Sequence, residues 1–254
     1  MRLAVLVLTL FLAVAGVTNA TYIITAVNTT VNLQQNTSAY VSEILRVSVS
    51  NTSVSQYTQD RLALNLTLSQ WQNIVGSDLT QHILNPKGSI YDFGFVPGPL
   101  INSNNGKIAY LQMTYYVTNV TIVNETAPRT FVYIFDNNVF NFQHAESGVV
   151  LGQNTTLTII LPQGAKIDSV YPPPDSPAFG FSSGYKNATR LSWYSDEPLS
   201  RFALSFTVEQ SLQSEVLQFF GEAFKWFSGV AYLLLVLVIA AFIAYTYYTV
   251  GRGR

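Results

Sequence analysis

Residue types that carry chemistry are sparse in this chain. It has two histidines, His82 and His144, and no cysteine. Neither histidine has neighbours at metal-ligand spacing, so each reads as a satisfied or exposed side chain. The lack of cysteine removes thiol nucleophiles and thiolate ligands. Gly180-Phe181-Ser182-Ser183-Gly184 matches the letters of a nucleophile elbow. It lies in a Gly/Pro-rich stretch without the strand, sharp turn and helix that such an elbow requires. Asp196 and Glu197 are adjacent, and adjacent residues of a strand point to opposite faces, which is poor placement for an acid/base dyad. There is no glycine-rich phosphate loop. The expected catalytic, cofactor-binding and metal-ligating sets are therefore all none, and the chain reads as a binder or scaffold, not an enzyme.

One chemistry is abundant. Asn-x-Ser/Thr acceptors for N-glycosylation occur at Asn28, Asn36, Asn51, Asn65, Asn119, Asn124, Asn154 and Asn187. In a chain rich in Asn, Ser and Thr some arise by chance. These eight lie between the two strongly apolar segments, as expected of a surface glycoprotein; a ninth, Asn19-Ala20-Thr21, falls at the end of the expected signal peptide.

The elements that must position these residues read mainly as β. Strand signals cover residues 22–27, 39–50 and 61–68; in the last, Leu62, Leu64, Leu66 and Leu68 share one face. Residues 69–84 carry a weak helical signal, and Asp92 to Pro99 breaks the pattern with Gly and Pro. Asn104-Asn105-Gly106 marks a turn into the longest strand region, 107–123. A bulge or bend is expected there, because seventeen residues is long for one strand. Strands follow at 130–135, 155–161, 166–171, 190–194 and 201–208, with a turn at Asn137-Asn138. Pro172-Pro173-Pro174 with Pro177 must form an extended loop. The expected architecture is an antiparallel β-sandwich over 21–208, as one domain or two subdomains meeting near 136–150.

Both flanks are apolar. Met1-Arg2, the run 3–17 and Thr18-Asn19-Ala20 read as a secretory signal peptide over 1–20, with a retained signal anchor as the alternative. Residues 228–250 are uncharged and free of proline. As a helix they reach roughly 34 Å, enough for a hydrocarbon core of about 30 Å. Aromatic rings flank both ends. Arg252 and Arg254 mark the tail 251–254 as cytoplasmic, which gives a single-pass type I topology in the cell membrane. Between domain and span, 209–227 carries Leu212, Val216, Phe219, Phe220, Ala223, Phe224 and Phe227 at three- and four-residue steps, an amphipathic juxtamembrane helix.

Composition narrows the partners. Thirteen basic and fourteen acidic residues in 254 leave no basic stripe for nucleic acid. Few carboxylates means few groups whose protonation can unbalance the fold in acid. With no cysteine in an exported domain, this profile fits an archaeal cell surface.

From Leu157 onward the chain resembles the C-terminal luminal region and membrane anchor of the ribophorin I family, a non-catalytic subunit of oligosaccharyltransferase. The residues that carry the likeness are Leu161-Pro162-Gln163-Gly164-Ala165-Lys166-Ile167, the loop opening at Tyr171-Pro172, the last strand at 202–208 and the single anchor. Gln163 stands where the family has an acid, the juxtamembrane helix is longer, and residues 21–150 have no counterpart. The resemblance implies an accessory subunit of a membrane N-glycosylation complex, packed beside a multi-span partner. Gly229, Ala231, Ala240, Ala241 and Ala244 would then let the helices approach closely. The alternative class is a membrane-anchored surface protein: an S-layer anchor, a filament or adhesion component, or a sensing ectodomain.

Overall fold

The computed structural model describes residues 22–63, 66–104, 106–146, 148–176, 188–210 and 225. The expected signal peptide, the membrane helix with its five small residues, the cytoplasmic tail, Asn65, Asn187 and the 180–184 stretch lie outside them. So does the juxtamembrane helix, apart from Glu209, Gln210 and Lys225. Among the described residues no helix is long and apolar enough to cross a membrane.

Strict alternation builds the central strands. In β2 (Ala39–Val49), residues Ala39, Val41, Glu43, Leu45, Val47 and Val49 all point inward. In β5 (Gly106–Val117), Ala109, Leu111, Met113, Tyr115 and Val117 do the same. A period of two puts every second residue on one face, so both strands lay one apolar face on the core, and both are interior strands of the largest sheet. Its order is β12 (Arg190–Trp193), β10 (Thr155–Ile160), β1 (Tyr22–Leu33), β2, β5 and β3 (Ile90–Pro97), with β4 (Ile101–Ser103) paired to β5. β1 and β10 run parallel while the other pairs are antiparallel, so the sheet is mixed, not purely antiparallel as expected.

A second sheet has the order β11 (Lys166–Tyr171), β13 (Ala203–Glu209), β7 (Thr130–Phe135) and β6 (Thr121–Ala127). β8 (Gln143–Ala145) and β9 (Gly148–Val150) form a two-stranded ribbon. Buried residues of both larger sheets join one cluster, to which Val139, Phe140 and Phe142 also belong.

The long strand region at 107–123 is two strands in different sheets. β5 stops at Val117, Asn119 adopts a left-handed φ of 58°, and β6 begins at Thr121. Val120 and Thr121 are both buried, so the even/odd alternation read across this stretch does not survive the corner.

Among the described residues of 61–68 no strand forms. α1 (Val54–Leu62) and α2 (Leu68–Val75) occupy the region. A capping box decides it: the Gln70 N–H donates to Thr67 Oγ1, and the Thr67 N–H donates to Gln70 Oε1 at 2.7 Å. The leucine spacing fits a helix start as well as a strand, and the cap breaks the tie. Tyr22, Tyr57, Trp71 and Phe95 then form a chain of ring contacts, 5.6 to 5.9 Å between neighbours. Residues 92–97, expected to break the pattern, instead form most of edge strand β3. The register slips between Tyr91 and Gly94, and Pro97 closes the strand on an edge, where a missing N–H is tolerated.

Candidate functional site

Glu43 occupies an inward position of β2, where the strand's alternation calls for an apolar side chain, and is fully buried. A buried carboxylate is tolerable only if its oxygens are occupied. Here Oε1 accepts the backbone N–H of His82 at 2.8 Å and the phenol of Tyr115. Oε2 lies 2.6 Å from Nδ1 of His82. Tyr115 comes from the next strand, β5, and also accepts the Ile83 N–H at 3.3 Å. Burial, reinforced by the Glu43 charge beside it, raises the Tyr115 pKa well above its ordinary value, so the phenol stays a donor.

His82 arrives on the irregular segment after α2. That segment is tied down by the Asn141 N–H to the His82 carbonyl and the Leu84 N–H to the Val139 carbonyl, each 2.8 Å. With Nδ1 committed to Glu43, Nε2 is the ring's remaining polar atom, and among the described residues it has no hydrogen-bond partner. The Phe142 ring lies 5.0 Å away at a tilt of 31°.

His82 and Phe142 line a cleft of about 810 Å³. The bulged start of β1, residues 150–155, Asp196, Ser77, Asp78 and Thr80 also line it. Among the described residues its lining contains two carboxylates and no lysine or arginine. A smaller cleft of about 330 Å³ adjoins it across Thr25, Ala26 and Asn154, and Arg46 lines that one. On the rim Asn154 and Asp196 hold left-handed φ values of 55° and 68°. Both are fixed by backbone bonds: Val27 N–H to the Asn154 carbonyl at 3.1 Å, Asp196 N–H to the Leu151 carbonyl at 3.0 Å. The rim is thus built before any ligand arrives.

Of the residues singled out from sequence, His82 is the satisfied histidine expected, and His144 is exposed on β8. Asp196 and Glu197 lie in a turn after β12; burial and then the Asp175 charge raise the Glu197 pKa. No group of three or more His, Cys, Asp or Glu capable of holding a metal occurs among the described residues. The six described acceptor asparagines, Asn28, Asn36, Asn51, Asn119, Asn124 and Asn154, are all exposed, but they are scattered over the surface. Asn36 Oδ1 accepts the Ser38 N–H and hydroxyl within its own turn, which leaves its Nδ2 unengaged. Glu43 and Tyr115 escaped the sequence reading. The signal was present: a charged residue on the apolar parity of a strand.

The Leu161–Ile167 motif forms the crossing between the two large sheets. The Ala165 N–H bonds to the Pro162 carbonyl at 3.1 Å, and Gly164 takes the positive φ of 79° that the turn needs.

No protein-family profile matches the chain, and no curated protein matches its sequence. Among solved structures it is similar to the folded domain of the Mycobacterium tuberculosis LppM protein, determined by NMR. The two share 10% identity over 75% of this chain and 92% of that one, with a TM-score of 0.28. A likeness at that score carries no argument about fold or function.

Proposed function

We propose that the chain is a non-catalytic, glycosylated β-sandwich domain displayed on the outer side of a membrane, and that it serves as an accessory subunit of a membrane N-glycosylation complex. The observation that carries the first half is the exposure of all six described acceptor asparagines. A modifying enzyme must reach the amide nitrogen, and a bulky glycan is tolerated only where it projects into solvent. The specific assignment rests on the ribophorin-like motif ahead of the anchor, which in this fold is the turn joining the two large sheets. Such a subunit acts by binding: it steadies a multi-span transferase or presents an acceptor chain, with Gly229, Ala231, Ala240, Ala241 and Ala244 allowing close helix approach.

The test is a pull-down of tagged full-length protein from native membranes, with mass spectrometry of the partner and of each acceptor asparagine. The transferase should co-purify, and Ala240→Leu with Ala244→Leu should weaken that association while export persists. Modified asparagines without the transferase would leave a glycosylated surface protein.

One observation favours that second reading. β6 is an edge strand whose Ile122 and Val123 are 57% and 39% exposed. Unpaired edges of this kind accept a strand from another chain. S-layer or filament proteins in the pull-down would establish the surface role in place of the complex subunit.

A further inference from the structure

We propose that the cleft over His82 is a binding site for a neutral saccharide. The inference does not depend on the membrane partner proposed above; it rests on the charge, the buried imidazole and the rim of the cleft.

The charge excludes most other small ligands. Asp78 and Asp196 stand on the rim as acceptors, and among the described residues neither is paired with a lysine or arginine. The cation of the adjoining cleft, Arg46, lies beyond Thr25 and Asn154. A phosphate or a carboxylate would enter next to two like charges with no counter-charge among the described lining residues.

The imidazole leaves one polar atom to offer at the cleft. His82 is 9% exposed, and Nε2 has no hydrogen-bond partner among the described residues, although the ring's orientation is fixed through Nδ1 by a carboxylate that itself has three ligands. An alcohol O–H both donates and accepts, so it can pair with Nε2 whichever role that atom takes. The carboxylates Asp78 and Asp196 accept from further hydroxyls in charge-assisted bonds. The rest of the polar lining, such as Ser77, Thr80 and Gln153, offers donors and acceptors together. Hydroxyl groups both give and take hydrogen bonds, so this mixture suits a sugar, whereas an ammonium needs acceptors alone. The Phe142 ring beside His82 supplies an apolar wall for the C–H face of a sugar ring.

The rim is set in advance. Asn154 and Asp196, in left-handed conformations fixed by backbone bonds, need no reordering on binding, which lowers the entropic cost of association. At about 810 Å³ the cleft falls in the range of small-ligand sites.

Two sources can supply the same chemistry: a free saccharide, or a glycan carried on Asn154, whose acceptor sequence borders the cleft. The experiment separates them. Full-length protein in a sugar-free detergent, as wild type and as Asn154→Gln, is titrated calorimetrically with glucose, mannose, N-acetylglucosamine and their short oligomers. Putrescine and glucose 6-phosphate serve as charged controls. At least one neutral sugar should bind, and both charged controls should bind more weakly. Asp78→Asn and Asp196→Asn, both on the exposed rim, should each weaken binding roughly tenfold, the scale of a hydrogen bond to a charged group. Circular dichroism would check that their folds are unchanged. Binding by both wild type and Asn154→Gln identifies a free ligand. Binding by Asn154→Gln alone identifies the chain's own glycan as the occupant. The proposal is overturned if no neutral sugar binds either form, if putrescine binds more tightly than every sugar, or if the two aspartate variants bind as wild type.

Discussion

Beneath the seven-stranded sheet, the core turns on a carboxylate: Glu43 holds Tyr115 from the neighbouring strand and His82 from an irregular segment. Rings pack against both sheets, but beneath the four-stranded one no buried carboxylate occurs among the described residues and rings fill the space. Tyr133 stacks on Phe206 at 5.1 Å and 4°, and Phe202 meets Phe135, Phe140 and Trp193 edge-on at 5.0 to 5.6 Å. The difference follows what each half must hold. Regular strands bring matched apolar faces and need only filling. The segment between α2 and β3 presents backbone groups that no ladder satisfies, so it must be held by directional bonds. Directional bonds also leave a polar atom at the boundary, and the cleft opens there.

If this contrast is right, the two halves fail differently. The largest effect belongs to Glu43→Met, which conserves volume but strands the His82 N–H and the Tyr115 hydroxyl. It should cost about 3–5 kcal/mol in chemical denaturation. Adding His82→Leu and Tyr115→Phe should recover part of the loss, since fewer buried groups then lack partners; a triple variant worse than the single would break the comparison.

Next comes Tyr115→Phe, at about 2 kcal/mol, because it removes one of the two donors to Glu43 Oε1 and leaves the Ile83 N–H without its acceptor. The same variant has a readout in alkali. Burial raises the Tyr115 pKa, so its contribution is intact below the ordinary tyrosine value of 10.0 and is lost as pH climbs past it. Tyr57, pushed up to about 12 by burial, loses its share over the interval above 10.0. Wild type should therefore lose stability above pH 10.0, and Tyr115→Phe should lose less over that window. Equal slopes would mean that Tyr115 is not buried as described.

In the ring-packed half, Phe206→Leu should cost about 1 kcal/mol, the range for a hydrophobic exchange of similar volume. A larger loss, comparable to that of Glu43→Met, would show that the stacked pair specifies geometry and does more than fill space. Thr29→Val reverses the sign. Thr29 faces Glu43 across the β1–β2 ladder, yet its hydroxyl is buried without a partner. Its removal should stabilise the protein by about 1 kcal/mol. A loss instead would place that hydroxyl inside the polar network. Smallest of all is Lys166→Ala on β11 of the four-stranded sheet. It breaks an exposed 2.9 Å pair with Glu209, and no change in melting temperature is expected beyond error.

Much of this framework can be read from the chain alone. The boundaries of β7 and β11, the reversal between Ser103 and Gly106 and the helical turns after residue 68 all follow from local pattern. Where the local reading went astray, two local solutions competed. Leucines at every second place from 62 to 68 also suit a capped helix start, and Asp92 with Gly94 marks a bulged edge as well as a break. The candidate site shows the same division. An acid at an inward parity position is visible in the linear pattern of β2, but its partners are not, because His82 and Tyr115 stand 39 and 72 residues away.

Composition and periodicity by themselves determined that this is a mainly β chain with few charges and no thiols, because those properties arise from side chains and their nearest neighbours. Only the tertiary structure decided that β1 and β10 run parallel, that residues 106–127 divide between two sheets, and that the loops before β10 and after β12 meet around His82. Strand pairing and cleft formation depend on contacts between segments far apart in sequence. Their free energy is set by mutual burial and hydrogen bonding, and no local stretch encodes that alone.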